Sequence, residues 1–469
     1  MPSDLIAELK WRGLFHQSTD EAGLLAHLRD PAAAMRRGYV GYDPTADSLT
    51  IGNLVTIMLL RHLQNAGHQP VVVSGGGTGL IGDPSGKSAE RTLMTEEIVR
   101  ANVEGQRRIF GRLLDFDART KNHALITNNM DWLGKISFLE ALRDIGKHFS
   151  VNEMIKRDSV RDRLNNREQG ISYTEFSYVL LQAYDFLHLQ RRCGVTLQMG
   201  GSDQWGNIVS GVELVFKDRS LEYLFDSAFA IGTKGEALRI GPPESDEEIR
   251  RRVAAKPEYQ AFGLTAPLVT KADGTKFGKT ESGAIWLTAD RTSPYAYYQF
   301  WLNCADADVS RFLRIFTLLP REEVERIEAE HAKDPGQRVA QRTLAREATT
   351  LLHGKTEMEH AESAAKALFS GDVASLPEKL LEEVLASAPS SMHNKTLLSG
   401  EGVALVDLLV EIGLASSKRE SREFLGNGAV SVNGRKASAD ERLTASHLLH
   451  GRIAVLQRGK KARHVTRWE

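Results

Sequence analysis

The segment V-V-V-S-G-G-G-T-G-L-I-G-D-P-S-G-K-S, Val71–Ser88, joins an apolar β-branched run to a glycine-rich turn. Such a run with no polar interruption is typical of a strand that is buried on both faces of a parallel sheet. The glycines after it allow the backbone to approach a ligand closely, at the strand end where α/β folds bind ligands. The segment therefore predicts a ligand site at the carboxyl edge of a parallel sheet.

Two familiar nucleotide signatures are incomplete in this segment. Gly77, Gly79 and Gly82 satisfy G-x-G-x-x-G, but Pro84 follows too soon for the helix that must open there. The Gly-Lys-Ser ending would need a glycine where Ile81 stands to form a phosphate loop. A turn with a purely structural role stays an alternative.

Short β-branched runs alternate with longer helical patterns from Met35 to about Phe262, which indicates βαβ units. The polar stretch from Asp218 to Gln260 interrupts this pattern, and we interpret it as a partly helical insertion of unknown role. Mostly amphipathic helices are expected from Ser293 to about Phe369, before a segment rich in Ser, Ala and Pro. The predicted fold class is α/β: a Rossmann-like parallel-sheet domain, then an α-helical domain and a small α+β domain.

Opposite charges nearly balance over the 469 residues, with 60 Lys and Arg against 61 Asp and Glu. A polyanionic partner must therefore bind a local basic patch, since the net charge supplies no general attraction. Such a patch lies between Ser417 and Glu469, where twelve Lys or Arg outnumber five Asp or Glu.

Features of targeting and redox chemistry indicate a cytoplasmic protein. Asp4, Glu8 and Lys10 interrupt the apolar residues near the amino terminus, so the pattern of a signal peptide is missing. No run approaches the roughly 20 apolar residues that span a bilayer. Cys193 and Cys304 lack the spacing of a zinc or redox site and suit reduced thiols.

Three motifs occur together in this chain: E-F-S-Y-V-L-L-Q-A-Y-D-F at Glu175–Phe186, G-G-S-D-Q-W-G-N at Gly200–Asn207 and K-A-D-G-T-K-F-G-K-T at Lys271–Thr280. In this combination and order the chain resembles the bacterial tyrosyl-tRNA synthetases, which are class I aminoacyl-tRNA synthetases. The resemblance implies an enzyme that activates L-tyrosine with ATP to tyrosyl-AMP and transfers the tyrosyl group to the 3′ end of tRNA(Tyr). Three alternatives stay open: an inactive RNA-binding paralogue, an adenylating enzyme with a non-tRNA acceptor and a tryptophan-specific enzyme.

The spacing of Tyr178, Gln182 and Asp185 places a phenol, an amide and a carboxylate on one face of a helix. The resemblance implies that Asp185 and Tyr39 bind the hydroxyl group of tyrosine. It places Tyr178, Gln182 and Asp83 around the α-ammonium group. Phenylalanine would leave Asp185 without its hydrogen-bond partner, so no editing domain is expected.

The resemblance also implies the nucleotide site and the mobile lysine signature, usually written KMSKS. Two ammonium groups three residues apart can neutralise the charge that develops as pyrophosphate leaves. The family's catalytic positions are Thr45, Thr50, Asn53, Lys276, Lys279 and Thr280. Its ATP-binding positions are Gly41, Asp43, Gly52, Thr56, Gly201, Asp203, Gln204, Lys276 and Lys279. Lys87 and Arg91 resemble family positions that are linked to ordering of the catalytic loop and to the phosphate charge.

Thr50 and Asn53 stand where the family's HIGH signature has two histidines. The resemblance implies that the residues at these positions donate hydrogen bonds to phosphate oxygens, which requires a donor and not a base. Threonine hydroxyls and asparagine amides both donate, and asparagine stabilises developing anions in other sites. We therefore expect a working enzyme.

The C-terminal residues from Val403 to Leu425 read as two helices that break near Gly413, and a hairpin with an Asn433-Gly434 turn follows. This pattern resembles the small RNA-binding fold of a ribosomal small-subunit protein. Lys418, Arg419 and Arg422 lie at helical spacing and can face a phosphate backbone together. We expect them to bind tRNA.

The resemblance further implies the substrates, the oligomeric state and the domain boundaries of the protein. ATP is expected as a substrate with Mg²⁺, with no prosthetic group and no protein metal site. A homodimer is expected through the segment Ile145–Met154, and no membrane association is expected. Four parts of the chain are predicted. They are a catalytic domain (1–283, with the lysine loop at 271–282), an α-helical domain for the anticodon region (284–369), a linker (370–402) and an RNA-binding domain (403–469).

Overall fold

The computed structural model describes most of the chain. The described residues are 4–30, 35–83, 94–157, 160–161, 164–165, 170–231, 237–239, 260–275, 277–280, 283–370, 373–386, 388–459 and 462–469. For residues 219–231, 237–239, 279–280, 368–370 and 375, only the backbone is described. The chain forms two compact units, Met1–Thr292 with Cys304–Glu347 and Ser293–Asn303 with Ala348–Glu469.

The first unit alternates strands and helices. Its strands are β1 (Gln17–Ser18), β2 (Arg37–Tyr42), β3 (Gln69–Ser74), β4 (Leu125–Asn128), β5 (Val195–Gly201), β6 (Phe229–Ile231), β7 (Ala237–Arg239), β8 (Phe262–Ala266), β9 (Lys279–Thr280) and β10 (Gly283–Ala284). Its helices up to the last strand are α1 (Leu5–Arg12), α2 (Glu21–Arg29), α3 (Ile51–Asn65), α4 (Thr78–Ile81), α5 (Glu96–Leu113), α6 (Met130–Leu133), α7 (Phe138–Glu140), α8 (Val151–Ile155), α9 (Tyr173–Cys193) and α10 (Trp205–Ala228). This alternation confirms the predicted βαβ units.

Six strands form the main sheet in the order β1-β8-β5-β2-β3-β4. The five strands from β8 to β4 run parallel, and β1 joins the edge antiparallel to β8. The register pairs Tyr42 with Ser74 and Ser74 with Asn128, so these strands end side by side. The predicted Rossmann-like parallel sheet is confirmed.

Strand β3 explains why the opening segment folds as it does. All six of its residues are buried, because helices cover both faces of a parallel sheet. The chain then turns at Gly75 and Gly76, where an added Cβ would lie 2.3 Å from Asp43 Oδ1 and 2.2 Å from Asn128 Oδ1. The glycines therefore allow polar side chains from two neighbouring strand ends to approach the backbone.

The remaining helices follow the last strand of the first unit. They are α11 (Pro294–Leu302), α12 (Asp306–Phe316), α13 (Arg321–Lys333), α14 (Val339–His353), α15 (Lys355–Ser370), α16 (Glu378–Leu385), α17 (Leu405–Glu411) and α18 (Lys418–Gly426). The second unit contains the strands β11 (Ser390–His393), β12 (Val403–Ala404), β13 (Val430–Val432), β14 (Arg435–Lys436), β15 (Arg442–Leu443), β16 (Ile453–Arg458) and β17 (Ala462–Trp468). The predicted helical region after Ser293 is confirmed.

A five-stranded sheet, β11-β17-β16-β13-β14, forms the C-terminal α+β region with α17 and α18. The turn between β13 and β14 has positive φ angles at Asn433 and Gly434, 50° and 85°, as a two-residue hairpin requires. The predicted helix pair and hairpin are thus confirmed. The interval 370–402, predicted as a linker, contains α16 and β11.

The predicted insertion, 218–260, lies largely outside the described residues. Its described backbone continues α10 to Ala228 and then forms the antiparallel pair β6 and β7. Among the helices that the structure describes, none combines the length and apolar character needed to cross a lipid bilayer.

Candidate active site

A cavity of about 600 Å³ opens at the carboxyl ends of the parallel strands. Its volume falls within the range typical of small-molecule sites. The predicted residues that line it are Tyr39, Gly41, Asp43, Thr45, Thr50, Gly52, Asn53, Thr56, Asp83, Tyr178, Gln182, Asp185, Gly201, Asp203 and Gln204. The sheet topology thus brings together residues that are separated by up to 165 positions in sequence.

Asp185 lines the cavity, and its carboxylate accepts two hydrogen bonds. Asn129 Nδ2 donates to Oδ2 over 2.9 Å, and Trp132 Nε1 donates to Oδ1 over 2.7 Å. Burial raises the pKa of Asp185 to about 7, although both hydrogen bonds act to lower it. The two donors orient the carboxylate and favour its charged form.

Tyr39 presents its hydroxyl group in the same part of the cavity. The side chain is 1% exposed, and within the described part of the chain no group forms a hydrogen bond to its hydroxyl. Burial, together with the charge of Asp185, raises the pKa of Tyr39 well above its ordinary value. The phenol is therefore a neutral donor and acceptor beside a carboxylate.

Asp43 and Tyr178, which both line the cavity, are joined by a hydrogen bond. Tyr178 Oη donates to Asp43 Oδ2 over 2.9 Å, and Thr78 Oγ1 donates to Asp43 Oδ1 over 2.7 Å. Burial and the nearby carboxylate of Asp43 raise the pKa of Tyr178 well above its ordinary value. Because the Tyr178 proton is held by Asp43, the oxygen of Tyr178 can accept a bond from a ligand.

A chain of amides connects the helix face to the turn after β5. Gln204 Nε2 donates to Asp83 Oδ2 over 2.7 Å. Asn207 Nδ2 lies 3.2 Å from Gln204 Oε1 and 3.0 Å from Gln182 Oε1 and donates to both oxygens. Asp83, Gln182 and Gln204 of the predicted site are therefore held in one hydrogen-bond network.

Thr50 and Asn53 form the start of α3. The Thr50 backbone N–H and its hydroxyl group both lie 3.0 Å from Asn53 Oδ1 and donate to it. Since a backbone N–H can only donate, this contact fixes the orientation of the Asn53 side-chain amide, with its carbonyl oxygen facing Thr50. Asn53 Nδ2, which has no partner among the described residues, is left as a donor at the helix N-terminus. The Thr50 hydroxyl group donates its proton to Asn53 Oδ1 within this helix cap.

The lysine signature is only partly described. Lys276 lies outside the described residues, as do Lys87 and Arg91. Lys279 and Thr280 form β9, which pairs antiparallel with β10, and their side chains are not described. Phe277, between the two lysines, lines the cavity.

The family assignment comes from comparisons with known proteins. The family profile described as tRNA synthetases class I (W and Y) matches residues 34–370. The profile described as tyrosine–tRNA ligase SYY-like C-terminal domain matches residues 383–465. The chain is 48% identical over 466 residues to the tyrosine–tRNA ligase of Geobacillus stearothermophilus, covering 99% of this chain and 100% of that one.

The chain belongs to the tyrosine–tRNA ligase family of class I synthetases. It is also 46% identical over 462 residues to the tyrosine–tRNA ligase of Staphylococcus haemolyticus, covering 98% of each chain. Among solved structures, a C-terminally truncated mitochondrial tyrosyl-tRNA synthetase from Aspergillus nidulans is similar, with a TM-score of 0.63 and 30% identity. That match covers 78% of this chain and 94% of the other. Ligation of tyrosine to tRNA, the family's reaction, is the reaction of this chain.

Several residues of this tyrosine–tRNA ligase site were missed by the sequence reasoning. Asn129 and Trp132 follow β4, and their signal was the polar pair Asn128-Asn129 directly after a predicted apolar strand. Gln198, an amide inside the buried strand β5, also lines the cavity and is 2% exposed. A polar residue in an otherwise apolar buried strand is a signal of function.

The raised pKa of Asp185 predicts a pH-dependent stability. An aspartate that holds its proton more tightly when folded contributes less to stability as the pH rises from about 4 to about 7. Asparagine cannot ionise, so the Asp185→Asn variant does not lose this contribution as the pH rises. The difference between its free energy of unfolding and that of the wild type should therefore increase over this range by on the order of 1 kcal/mol per pH unit. Urea unfolding of both proteins at a series of pH values measures the difference, and a difference that stays constant with pH contradicts the prediction.

Proposed function

We propose that the cavity forms tyrosyl adenylate from tyrosine and ATP before the tyrosyl group passes to tRNA(Tyr). The observation that carries this proposal is the buried Tyr39 hydroxyl, which lacks a partner among the described residues and lies beside the Asp185 carboxylate. A phenol placed between them donates its proton to Asp185 and accepts from Tyr39. Each Asp185 oxygen already accepts one bond and retains a lone pair for this one.

The α-ammonium group of tyrosine is proposed to bind Asp83, Gln182 and Tyr178. An ammonium group requires acceptors only. Tyr178 fits this requirement, because its own proton is donated to Asp43. Gln204 and Asn207 hold Asp83 and Gln182 in place by the amide network.

The nucleotide is proposed to lie at the N-terminus of α3 and along the turn after β5. Helix N-termini favour anions, because their backbone N–H groups point outward. Gly52 is exposed there, and Asn53 Nδ2 supplies a donor for the α-phosphate. The other residues proposed for this part of the site are Gly41, Asp43, Thr45, Thr50, Thr56, Gly201, Asp203 and Gln204.

Pyrophosphate release is proposed to depend on Lys276, Lys279 and Thr280. Their ammonium and hydroxyl groups offset the charge that develops on the leaving group. We propose that Mg²⁺ enters bound to ATP. Among the described residues, no group of three or more His, Cys, Asp and Glu side chains is arranged to hold a metal ion.

The C-terminal region is proposed to bind tRNA(Tyr) through α18. Arg419 and Arg422 are exposed on this helix, whereas Lys418 forms an ion pair of 2.7 Å with Asp407. We propose domains at 1–283 for activation, 284–369 for the anticodon region, 370–402 as the connection and 403–469 for RNA binding. The separate family matches to 34–370 and 383–465 support a division between activation and RNA binding.

We propose a homodimer that forms around the segment Ile145–Met154. Large apolar side chains in this segment or next to it are between 41% and 77% exposed: Phe138, Leu139, Leu142, Val151 and Ile155. Such a group of exposed apolar residues is typical of a protein interface.

Light scattering should give twice the mass of one chain, and Leu139→Asp should reduce it to the mass of one chain at micromolar concentration. A wild-type mass of one chain contradicts the proposal.

A cytoplasmic location is proposed from the free cysteines. Cys193 and Cys304 are both unpaired thiols. Proteins in oxidising compartments more often pair their cysteines.

Tyr39→Phe tests the proposed recognition of the phenol. Loss of one hydrogen bond should lower kcat/KM for tyrosine about tenfold, with no effect on the value for phenylalanine. Pyrophosphate exchange into ATP, measured with tyrosine, phenylalanine and tryptophan, reports both values. Equal stimulation by the three amino acids in the wild type contradicts the assignment of specificity.

Asn53→Ala tests the replacement of the signature histidines. Removal of the donor should lower kcat for exchange by about 10² to 10³, with the dissociation constant for tyrosine unchanged. Asn53→His is the matched control and should remain within about tenfold of the wild type. A wild-type rate of exchange in Asn53→Ala contradicts the proposed role of its amide.

A further inference from the structure

The segment before Lys276 is attached to helix α12. Asp308, in the first turn of α12, accepts a hydrogen bond of 2.9 Å from the backbone N–H of Ala272 through Oδ1. Asp308 is only 3% exposed and also pairs with Arg311 over 3.0 Å. Arg311 in turn donates to the carbonyl oxygen of Thr270. Two bonds therefore connect the helix to the backbone that enters the lysine signature.

The segment after Lys276 is held by aromatic packing on the same helix. The ring of Phe277 lies parallel to Phe316, with centroids 5.2 Å apart, and tilted to Phe312 at 5.0 Å. Phe312 and Phe316 are 3% and 0% exposed, so the pair forms a fixed apolar surface. Aromatic pairs at such distances stabilise beyond the area that they bury.

Gly278 attaches the opposite side of this segment to the start of α3. Its carbonyl oxygen accepts from Ile285 N over 3.0 Å, and Ile51 N donates to the oxygen of Ile285 over 2.9 Å. A Cβ at Gly278 would lie 2.4 Å from Ile51 Cγ2, and the φ angle is +79°. Phe277 and Gly278 thus lie between α12 and the helix terminus that carries Asn53.

Arg12 fixes the other end of α12. It is 3% exposed and donates to the carbonyl oxygens of Arg314 and Thr317, both over 2.8 Å, and to that of Leu319 over 2.9 Å. Arg314 lies in the last turn of α12 and Thr317 is its C-cap, so these two carbonyls would otherwise lack partners at the helix C-terminus. Helix α12 is therefore a rigid support.

We propose that Asp308, Phe312 and Phe316 are positioning residues for the lysines of the signature. They hold the backbone on both sides of Lys276, so that less chain freedom is lost when the ammonium groups engage the triphosphate. The inference rests on the proposed role of Lys276 and Lys279, and it assigns a catalytic contribution to a helix that lines no part of the cavity.

Asp308→Ala and Phe312→Leu test the proposal. Each should lower kcat for pyrophosphate exchange about tenfold, because the lysines are then less often in place. KM and the dissociation constant for tyrosine should stay unchanged, since the tyrosine pocket is untouched. Asp308→Asn keeps an oxygen for Ala272 N–H and should remain within threefold of the wild type.

Ile327→Val, in the buried face of the neighbouring helix α13, is the control for a general loss of packing. It should leave kcat unchanged while lowering the unfolding midpoint slightly. If Asp308→Ala does not fold, Phe312→Leu carries the same test. A parallel rise in KM for tyrosine would show a general disturbance of the site and overturn the proposal.

A double-mutant cycle with Lys279→Ala separates this proposal from the proposed function. If α12 acts through the lysines, Asp308→Ala should cause little further loss once Lys279 has been removed. Fully multiplicative losses, or wild-type kcat in Asp308→Ala, overturn the positioning role alone. Wild-type kcat in Lys279→Ala overturns the proposed role of the lysines and this inference with it.

Discussion

The parallel pairing of β2 with β3 and β5 is the constraint on which the site depends. Parallel strands all present their carboxyl ends at one edge of the sheet, so turns from distant parts of the chain converge there. Tyr39 and Asp43 come with β2, the glycine turn with β3, and Asp203 and Gln204 with β5. A change of register in one strand would therefore misplace several of the residues that line the cavity.

Two carboxylates in the cavity lie partly or fully out of water, Asp43 half-buried and Asp185 buried. Removing a charge from water is unfavourable unless hydrogen bonds replace the lost solvation. Asp43 accepts from Tyr178 and Thr78, and Asp185 accepts from Asn129 and Trp132. The same donors that stabilise these charges also fix the direction in which each carboxylate faces the cavity.

The altered HIGH signature has a structural explanation. Asn53 uses its carbonyl oxygen to cap α3 and keeps its amide donor at the helix terminus, so one side chain serves both the helix and the proposed phosphate. The residues around Lys276 are held against the same terminus through Gly278 and against α12 through Phe277. The start of α3 and the described residues that follow Lys276 are thus parts of one local structure.

The sequence by itself determined the strands, the shared face of Tyr178, Gln182 and Asp185, and the C-terminal hairpin, because local periodicity and turn chemistry encode them. Its motifs also indicated the family. Only the tertiary structure decided that Asn129 and Trp132 bind Asp185, and that Phe277 packs on Phe312 and Phe316. These contacts join segments that lie tens of residues apart, and the register of the sheet and the packing of helices, which no local pattern specifies, bring them together.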